Sequence, residues 1–316
     1  MRVAVALVNF NEYRTTCEAI ESILPYLSPD DSLVVVDNAS TDGSVPLLRE
    51  RYPPVKVIAL ERNRGFSGGC NAAIEFAERE TAEFVLLANN DIVFAPDAIE
   101  RLVGTAETET SIGVVVPRIY YHANPRRVWA AGSTISPMTG LTRQRGMDCD
   151  ESDFPPALAP LDLDVCTGCC MLVRMSVIRA VGRMLEEFFL YYDETDWCWR
   201  IRRAGFRIVL EDASHIWHKV SKSVGVSSPT FWYYITRNHM LFVHRNFPPA
   251  YRCFALLYVT TVLTPHRFFS LLFFRSPSQA RALLRGWVDG YRTVFGKAER
   301  PSRSTLGPPP GVHDGG

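Results

Sequence analysis

The sequence predicts an α/β fold: a mostly parallel central sheet with helices on both faces, followed by a helical extension. Three observations predict it. Short apolar runs of strand length alternate with stretches whose apolar residues recur at helical spacing. Those runs are apolar throughout, as strands covered on both faces are. Each of the first four also ends in a loop rich in Asn, Asp, Ser or Gly, on the edge where such sheets gather ligands.

Residues 3–8 (Val-Ala-Val-Ala-Leu-Val) form the first buried strand, and Cys17, Ile20, Leu24 and Leu27 follow at helical spacing. Residues 33–36 and 55–60 are the second and third strands. Cys70, Ala73, Ile74 and Ala77 make the stripe of the next helix, and 84–87 is a fourth strand. Pro96 fits the first position of another helix. After Ala106 the periodicity weakens, and residues 117–164 read as loops and short strands over the cleft. A buried strand resumes at 168–173, a helix follows from about Ser176, and 207–210 is a further strand.

Between these last two elements lies Phe188-Phe-Leu-Tyr-Tyr-Asp-Glu-Thr-Asp-Trp-Cys-Trp-Arg200. Asp196 can pair with Arg200 one helical turn later, and Gly205 is a natural stop. Asp193 and Glu194 then lie at the helix N-terminus, where the helix dipole favours the ionised carboxylate. A carboxylate held so on a rigid element suits a general base. In isolation the same triplet better suits an acidic cap on a surface helix, and the rest of the chain overturns that reading.

Beyond Thr230 the chain changes to long helices. Lys plus Arg equals Asp plus Glu at 34 each, which gives no sign of a nucleic-acid partner. Yet from Arg237 to Arg303 there are eleven basic residues against two acidic ones. With Phe268, Phe269, Leu271, Leu272, Phe273 and Phe274, this suits a helix lying on an anionic membrane surface. It equally suits packing on the main domain or on a second copy in a homo-oligomer. Arg252 and Arg267 bracket an uncharged stretch shorter than the about 20 residues of a bilayer span, so no transmembrane helix is expected. The last residues, 301–316, are Pro- and Gly-rich and expected to be disordered. With Val3 already opening a core strand and eight unpatterned cysteines, the reading expects no leader, free thiols and a cytoplasmic setting. Cys166, Cys169 and Cys170 lack a second pair at zinc spacing.

The four loops carry the remaining chemistry: Asn9-Phe-Asn11; Asp37-Asn38 onward; Asn63-Arg-Gly65-Phe-Ser-Gly-Gly69-Cys-Asn71; and Asn89-Asn90-Asp91. Asp37 at a strand end suits hydrogen bonds from a base or ribose, or an Asx turn. Gly65, Gly68 and Gly69 suit a close approach to phosphate before a helix, although neither phosphate-loop signature is present. Asp91 suits a divalent ion shared with substrate phosphates, or a helix cap. His215 and His218 fall on opposite faces of an extended segment, so one at most faces the cleft, and His218 is the choice.

Together these segments resemble family 2 glycosyltransferases, in particular their rhamnosyltransferase-like branch. The resemblance runs from Val3 to about Gly296 and adds Thr167-Gly-Cys-Cys-Met-Leu-Val-Arg174 and Tyr234-Ile-Thr-Arg-Asn238. It implies an inverting enzyme of the GT-A nucleotide-diphospho-sugar transferase fold. Residues 1–230 would form the catalytic domain, with a nucleotide-sugar half to about 110 and an acceptor half beyond. Residues 231–298 would be the helical extension and 299–316 the disordered tail. It implies nucleotide-sugar contacts from Asn9, Asn11, Asp37, Asn38, Asn63, Gly65, Gly69, Asn71, Asn90 and Asp91. A divalent cation, Mn2+ or Mg2+, would sit on Asp91 and His218. Asn89 stands where the family's metal motif usually has Asp, and Asp193-Glu194 where it usually has Glu-Asp. By position Glu194 is the base, with Asp193 and Asp196 as acceptor-binding or structural partners. Trp129, Trp197 and Trp199 are candidates for sugar stacking, with core the expected role of at least two. The implied donor is a dTDP-sugar, rhamnose first, or a UDP-sugar, and the acceptor a cell-envelope glycan or lipid-linked glycan. A non-catalytic sugar-nucleotide binder and a nucleotidyltransferase are the competing readings.

Overall fold

The computed structural model of the protein describes residues 2–220, 228–274 and 276–296. The tail expected to be disordered, 299–316, lies outside the described residues. The N-terminal part alternates as expected: β1 (Val3–Asn9), α1 (Tyr13–Ile23), β2 (Ser32–Asp37), α2 (Ser44–Arg51), β3 (Lys56–Ala59), α3 (Gly65–Arg79) and β4 (Phe84–Asn89). These four strands lie in the order β3-β2-β1-β4, all parallel. Their carboxyl ends therefore open on one edge, with Asn9 level with Asp37 and Val8 level with Asn89.

Alternation along β1 explains the layers. Val3, Val5 and Leu7 face one apolar core with α1, while Ala4 and Ala6 face another with α3. The small residues on that second face let α3 come close: a Cβ added at Gly69 would lie 2.6 Å from Val8 Cγ1.

Next come β5 (Ile92–Phe94), α4 (Ala98–Thr108), β6 (Ile112–Tyr121), β7 (Asn124–Ala130), β8 (Ser133–Ile135), β9 (Thr142–Gln144) and β10 (Leu161–Asp162). They are followed by β11 (Cys170–Arg174), α5 (Met175–Val181), α6 (Asp193–Arg203) and β12 (Arg207–His218). The main path of the ten-stranded sheet is β10-β12-β6-β11-β4-β1-β2-β3, with β5 paired to β12 and β7 to β6. β11 enters antiparallel to both β4 and β6, so the sheet is mixed where a mostly parallel one was expected.

Two expectations are corrected. Pro96 lies two residues ahead of α4, in the turn rather than the helix. Residues 117–121 belong to β6, a buried ten-residue strand of the main sheet, where loops and short strands over the cleft were expected. Pro117 obscures that strand in the sequence, because it brings no ladder donor. The structure absorbs it with a shift in the parallel pairing to β12, from Glu211 opposite Pro117 to His215 opposite Arg118. The bulged Asp212 turns into the core and takes Arg118 Nε at 2.6 Å and Nη2 at 2.7 Å.

The extension holds α7 (Pro229–Asn246), α8 (Pro249–Tyr258), α9 (Thr264–Phe274) and α10 (Pro277–Phe295). A π-helical segment, Val259–Leu263, joins α8 to α9, giving a continuous rod of 26 residues. It runs past both bracketing arginines and is long and apolar enough, by length and composition, to cross a membrane. One flank nevertheless rests on protein, through Ala255, Leu256, Val259 and Leu271. α10 packs along α7 because Gly286 has no side chain: a Cβ there would lie 2.3 Å from the Tyr233 carbonyl oxygen.

Candidate active site

The polar loops meet at the carboxyl edge of β1, β2 and β4. Asn9, fully buried, donates through Nδ2 to Asp37 Oδ2 at 2.6 Å and to Ser40 Oγ at 3.2 Å. Its Oδ1 accepts from Thr16 Oγ1 at 2.8 Å and from Asn90 Nδ2 at 3.1 Å. Asp37 Oδ1 accepts the Ser40 amide at 2.8 Å, so both of its oxygens have internal partners. Asn11, with φ 55°, accepts the Thr41 amide at 2.7 Å. Asn9, Asn11, Asp37 and Asn90 thus form one network that stiffens the rim. Thr16, which the sequence reading passed over, belongs to it, and a hydroxyl on the inner face of α1 is its only sequence signal.

The glycine-rich segment is held from two sides. Asn38 accepts the Arg64 amide at 2.8 Å and donates to the Gly65 carbonyl at 2.9 Å, while Asn63 Oδ1 accepts the Gly65 amide at 2.8 Å. Gly65 has φ +72°, and a Cβ there would lie 2.2 Å from the Phe189 carbonyl oxygen. The absent side chain therefore admits the 188–192 segment rather than leaving open space at that point. Asn71 sits further along α3 and holds Met184, donating to its carbonyl at 2.9 Å and accepting its amide at 3.1 Å.

After β4, Asp91 meets His218 from the end of β12. Nε2 of the imidazole is 3.1 Å from Asp91 Oδ1, and the two residues are 7 % and 6 % exposed. The pairing of β5 with β12 brings them together, because His218 stands opposite Ile92. Trp129 packs edge-on to His218 at 4.5 Å between ring centroids. His215 lies apart, against Tyr120 and Trp217, as the alternation predicts. Of the other indoles, Trp197 is fully buried, and Trp199 stacks on Phe247.

The carboxylate stretch folds into α6 behind a strained entrance. Phe189, Tyr191 and Tyr192 have φ of 66°, 63° and 64°, a left-handed conformation that costs about 1–3 kcal/mol each for such residues. One side chain of α7 holds it. Asn238 Nδ2 donates to the carbonyls of Phe188, Leu190 and Tyr191 at 2.7, 2.8 and 2.9 Å. Arg237 braces Asn238 Oδ1 at 2.7 Å and the Glu187 carbonyl at 2.9 Å. The sequence contained this device as a buried Arg-Asn pair in an otherwise apolar helix stretch, but gave no hint of what it grips.

Asp193 is 1 % exposed, and neither of its oxygens has a hydrogen-bond donor among the described residues. Burial raises its pKa. Burial first, and then the neighbouring Asp193 charge, hold Glu194 well above the usual carboxylate range. Glu194 keeps part of its surface open. Asp196 is committed elsewhere: it accepts Arg200 Nε and Asn246 Nδ2, each at 2.8 Å. It locks α6 to α7 and faces no cleft.

One turn joins the two charged groups. The Asn89 amide donates to the Cys169 carbonyl at 2.9 Å, and a Cβ on Gly168 would lie 3.6 Å from Glu194 Cβ. The 167–169 turn thus has the Asp91 loop on one side and Glu194 on the other.

This fold is the GT-A fold of nucleotide-sugar transferases. The family model described as "Glycosyl transferase family 2" matches residues 4–182, and the chain belongs to that family. It is 28 % identical over 209 residues to the low-salt glycan biosynthesis hexosyltransferase Agl10 of Haloferax volcanii, covering 65 % of this chain and 63 % of that one. It is 25 % identical over 218 residues to the N-acetylglucosaminyl-diphospho-decaprenol L-rhamnosyltransferase of Mycobacterium tuberculosis, covering 61 % of this chain and 68 % of that one. Among solved structures, GalNAc-T7 with UDP, GalNAc and Mn2+ superposes with a TM-score of 0.60 at 15 % identity, over 75 % of this chain and 47 % of its own.

Proposed function

We propose that the protein is an inverting glycosyltransferase that moves a hexose, rhamnose or a close relative, from a nucleotide diphosphate to an acceptor hydroxyl. The supporting observation is the 167–169 turn, which has the Asp91 loop on one side and Glu194 on the other. Glu194 accepts the proton of the acceptor hydroxyl as that oxygen attacks the anomeric carbon from the face opposite the leaving diphosphate. One displacement inverts the centre and needs no covalent sugar on the enzyme. Burial and the Asp193 charge raise the Glu194 carboxyl well above the usual carboxylate range, which makes its ionised form a stronger base than a solvated carboxylate. Asp37 and its asparagine network present a rigid rim for the nucleoside.

Asp91 and His218 fit a divalent cation, Mn2+ or Mg2+. They are a nearly buried carboxylate–imidazole pair, and His218 Nδ1 is buried with no partner among the described residues. A hard ion held by two protein ligands would complete its shell with phosphate oxygens and water. When bound, such an ion neutralises charge on the leaving diphosphate.

For the donor, dTDP-rhamnose ranks first, then UDP-sugars, since a relative is named a rhamnosyltransferase and a structural neighbour binds UDP. The acceptor is a glycan, free or carried on lipid, and the setting is the cytoplasmic face of the membrane. The test is release of nucleoside diphosphate from a panel of nucleotide sugars with and without Mn2+ or Mg2+. Metal-dependent release from one donor, lost in both Glu194→Gln and Asp91→Asn, is expected. Release of pyrophosphate from a nucleoside triphosphate and a sugar 1-phosphate, with no release of nucleoside diphosphate from any nucleotide sugar, would make the protein a nucleotidyltransferase. Donor binding without any release would make it a binder.

A further inference from the structure

The inner face of the extension carries a charge that no carboxylate answers. Arg267 on α9 turns inward, its guanidinium carbon 5.9 Å from the Trp232 ring centroid. The titratable groups facing it are Tyr192, Tyr258 and His239. Burial raises the Tyr192 phenol and pushes His239 down to about 4, so neither supplies an anion at neutral pH. Among the described residues Arg267 has neither an ion pair nor a hydrogen bond. Its own pKa is lowered by burial. A guanidinium stays charged, and a charge in such a place costs free energy until an anion joins it. Its neighbour Tyr192 is the residue that caps α6, two positions before Glu194.

The outer side of the same rod is independent of this. Val262, Phe269 and Phe273 are spaced seven and four apart on one face and are 51 %, 53 % and 71 % exposed. Twelve of the nineteen exposed large apolar side chains among the described residues lie between Tyr251 and Phe295. On α10 the apolar stripe of Leu284, Val288 and Tyr291 is flanked by exposed Arg281, Arg285 and Arg292. The one acid of α8, α9 and α10, Asp289, is bonded to Tyr233 at 3.0 Å. An apolar patch rimmed by arginines matches an anionic bilayer surface. A second copy would bring the same arginines against it.

We propose that α9 seats an amphiphilic acceptor, a glycan carried on a lipid phosphate or diphosphate. Its tail enters the bilayer along the Phe269–Phe273 side, its phosphate pairs with Arg267, and its sugar hydroxyl reaches Glu194. This rests on the transferase reading above and names the acceptor's class.

The test is cosedimentation of the full chain with three vesicles: phosphatidylcholine alone, and the same doped with undecaprenyl phosphate or with phosphatidylglycerol at equal charge. Undecaprenyl phosphate vesicles are expected to capture the protein about tenfold or more tightly than phosphatidylglycerol ones. Arg267→Gln removes that preference, Arg267→Lys keeps part of it, and Phe269→Ser with Phe273→Ser weakens capture on all three. Equal preference in Arg267→Gln, or none in the natural chain, overturns the proposal. So does a stable dimer that buries this face and ignores vesicles. Should Arg267→Gln melt early, inorganic diphosphate must displace the natural chain from the undecaprenyl phosphate vesicles, and failure to do so overturns the proposal equally. Nucleoside diphosphate release measured without vesicles separates the two readings. Turnover with no vesicle preference sinks only this proposal, and preference with no turnover sinks only the transferase.

Discussion

At the scale of single residues, Glu194 is placed where burial works against its charge. Its raised pKa means that the folded protein holds the proton more tightly than the unfolded chain does. Its contribution to stability is therefore full at acid pH and is lost as pH climbs through the folded titration. Glu194→Gln is expected to raise the melting temperature at pH 8 while lowering the transfer rate about 10²–10⁴-fold. The natural enzyme's rate should rise with pH through that same raised titration, and a pH–rate profile flat from pH 4 upward would contradict it. Arg118 and Asp212, 1 % and 3 % exposed in their side chains, show the opposite case of a buried charge fully answered. Asp212→Ala leaves the guanidinium alone and should cost about 3–5 kcal/mol in denaturant unfolding.

At the scale of elements, α7 grips the entrance to α6. Asn238→Ala frees three carbonyls of a backbone segment that is unfavourable in itself. The expected result is a loss of about 1–3 kcal/mol and a fall in kcat with the donor KM little changed. A variant that melts earlier yet keeps its kcat would show that the grip is only structural. The elements themselves were largely legible in the sequence. β1 to β4 declare themselves because strands covered on both faces are apolar throughout, and Asp196–Arg200 because a pair one helical turn apart faces itself. Two things were not legible. β6 hides behind Pro117, whose missing donor is compensated by a bulge in a strand about a hundred residues away. The glycines at 65 and 69 look like a phosphate cradle, but their missing side chains are answered by Phe189 and Val8. Close packing between distant segments leaves no local signature.

At the scale of the whole molecule, the GT-A domain and its extension form one device. α10 lies on α7 through Gly286, and α7 holds the 188–191 carbonyls. Gly286→Val, which would meet the Tyr233 carbonyl, should loosen that contact and raise hydrogen exchange along residues 188–192 as well as in α10. Exchange confined to α10 would show that the extension is only an appendage. The candidate pair Asp91 and His218, distant in sequence, was legible because alternation along β12 leaves one histidine for the cleft. The unanswered Arg267 was not, since a sequence shows charges but not which of them lack partners.

The central claim is a single inverting displacement with Glu194 as base. Its most direct measurement is the proton NMR spectrum of the sugar first released when water replaces the acceptor, recorded before the anomers equilibrate. The account predicts the anomer opposite to that of the donor, at a rate that collapses in Glu194→Gln. A retained anomer, or an unchanged rate in that variant, would contradict it.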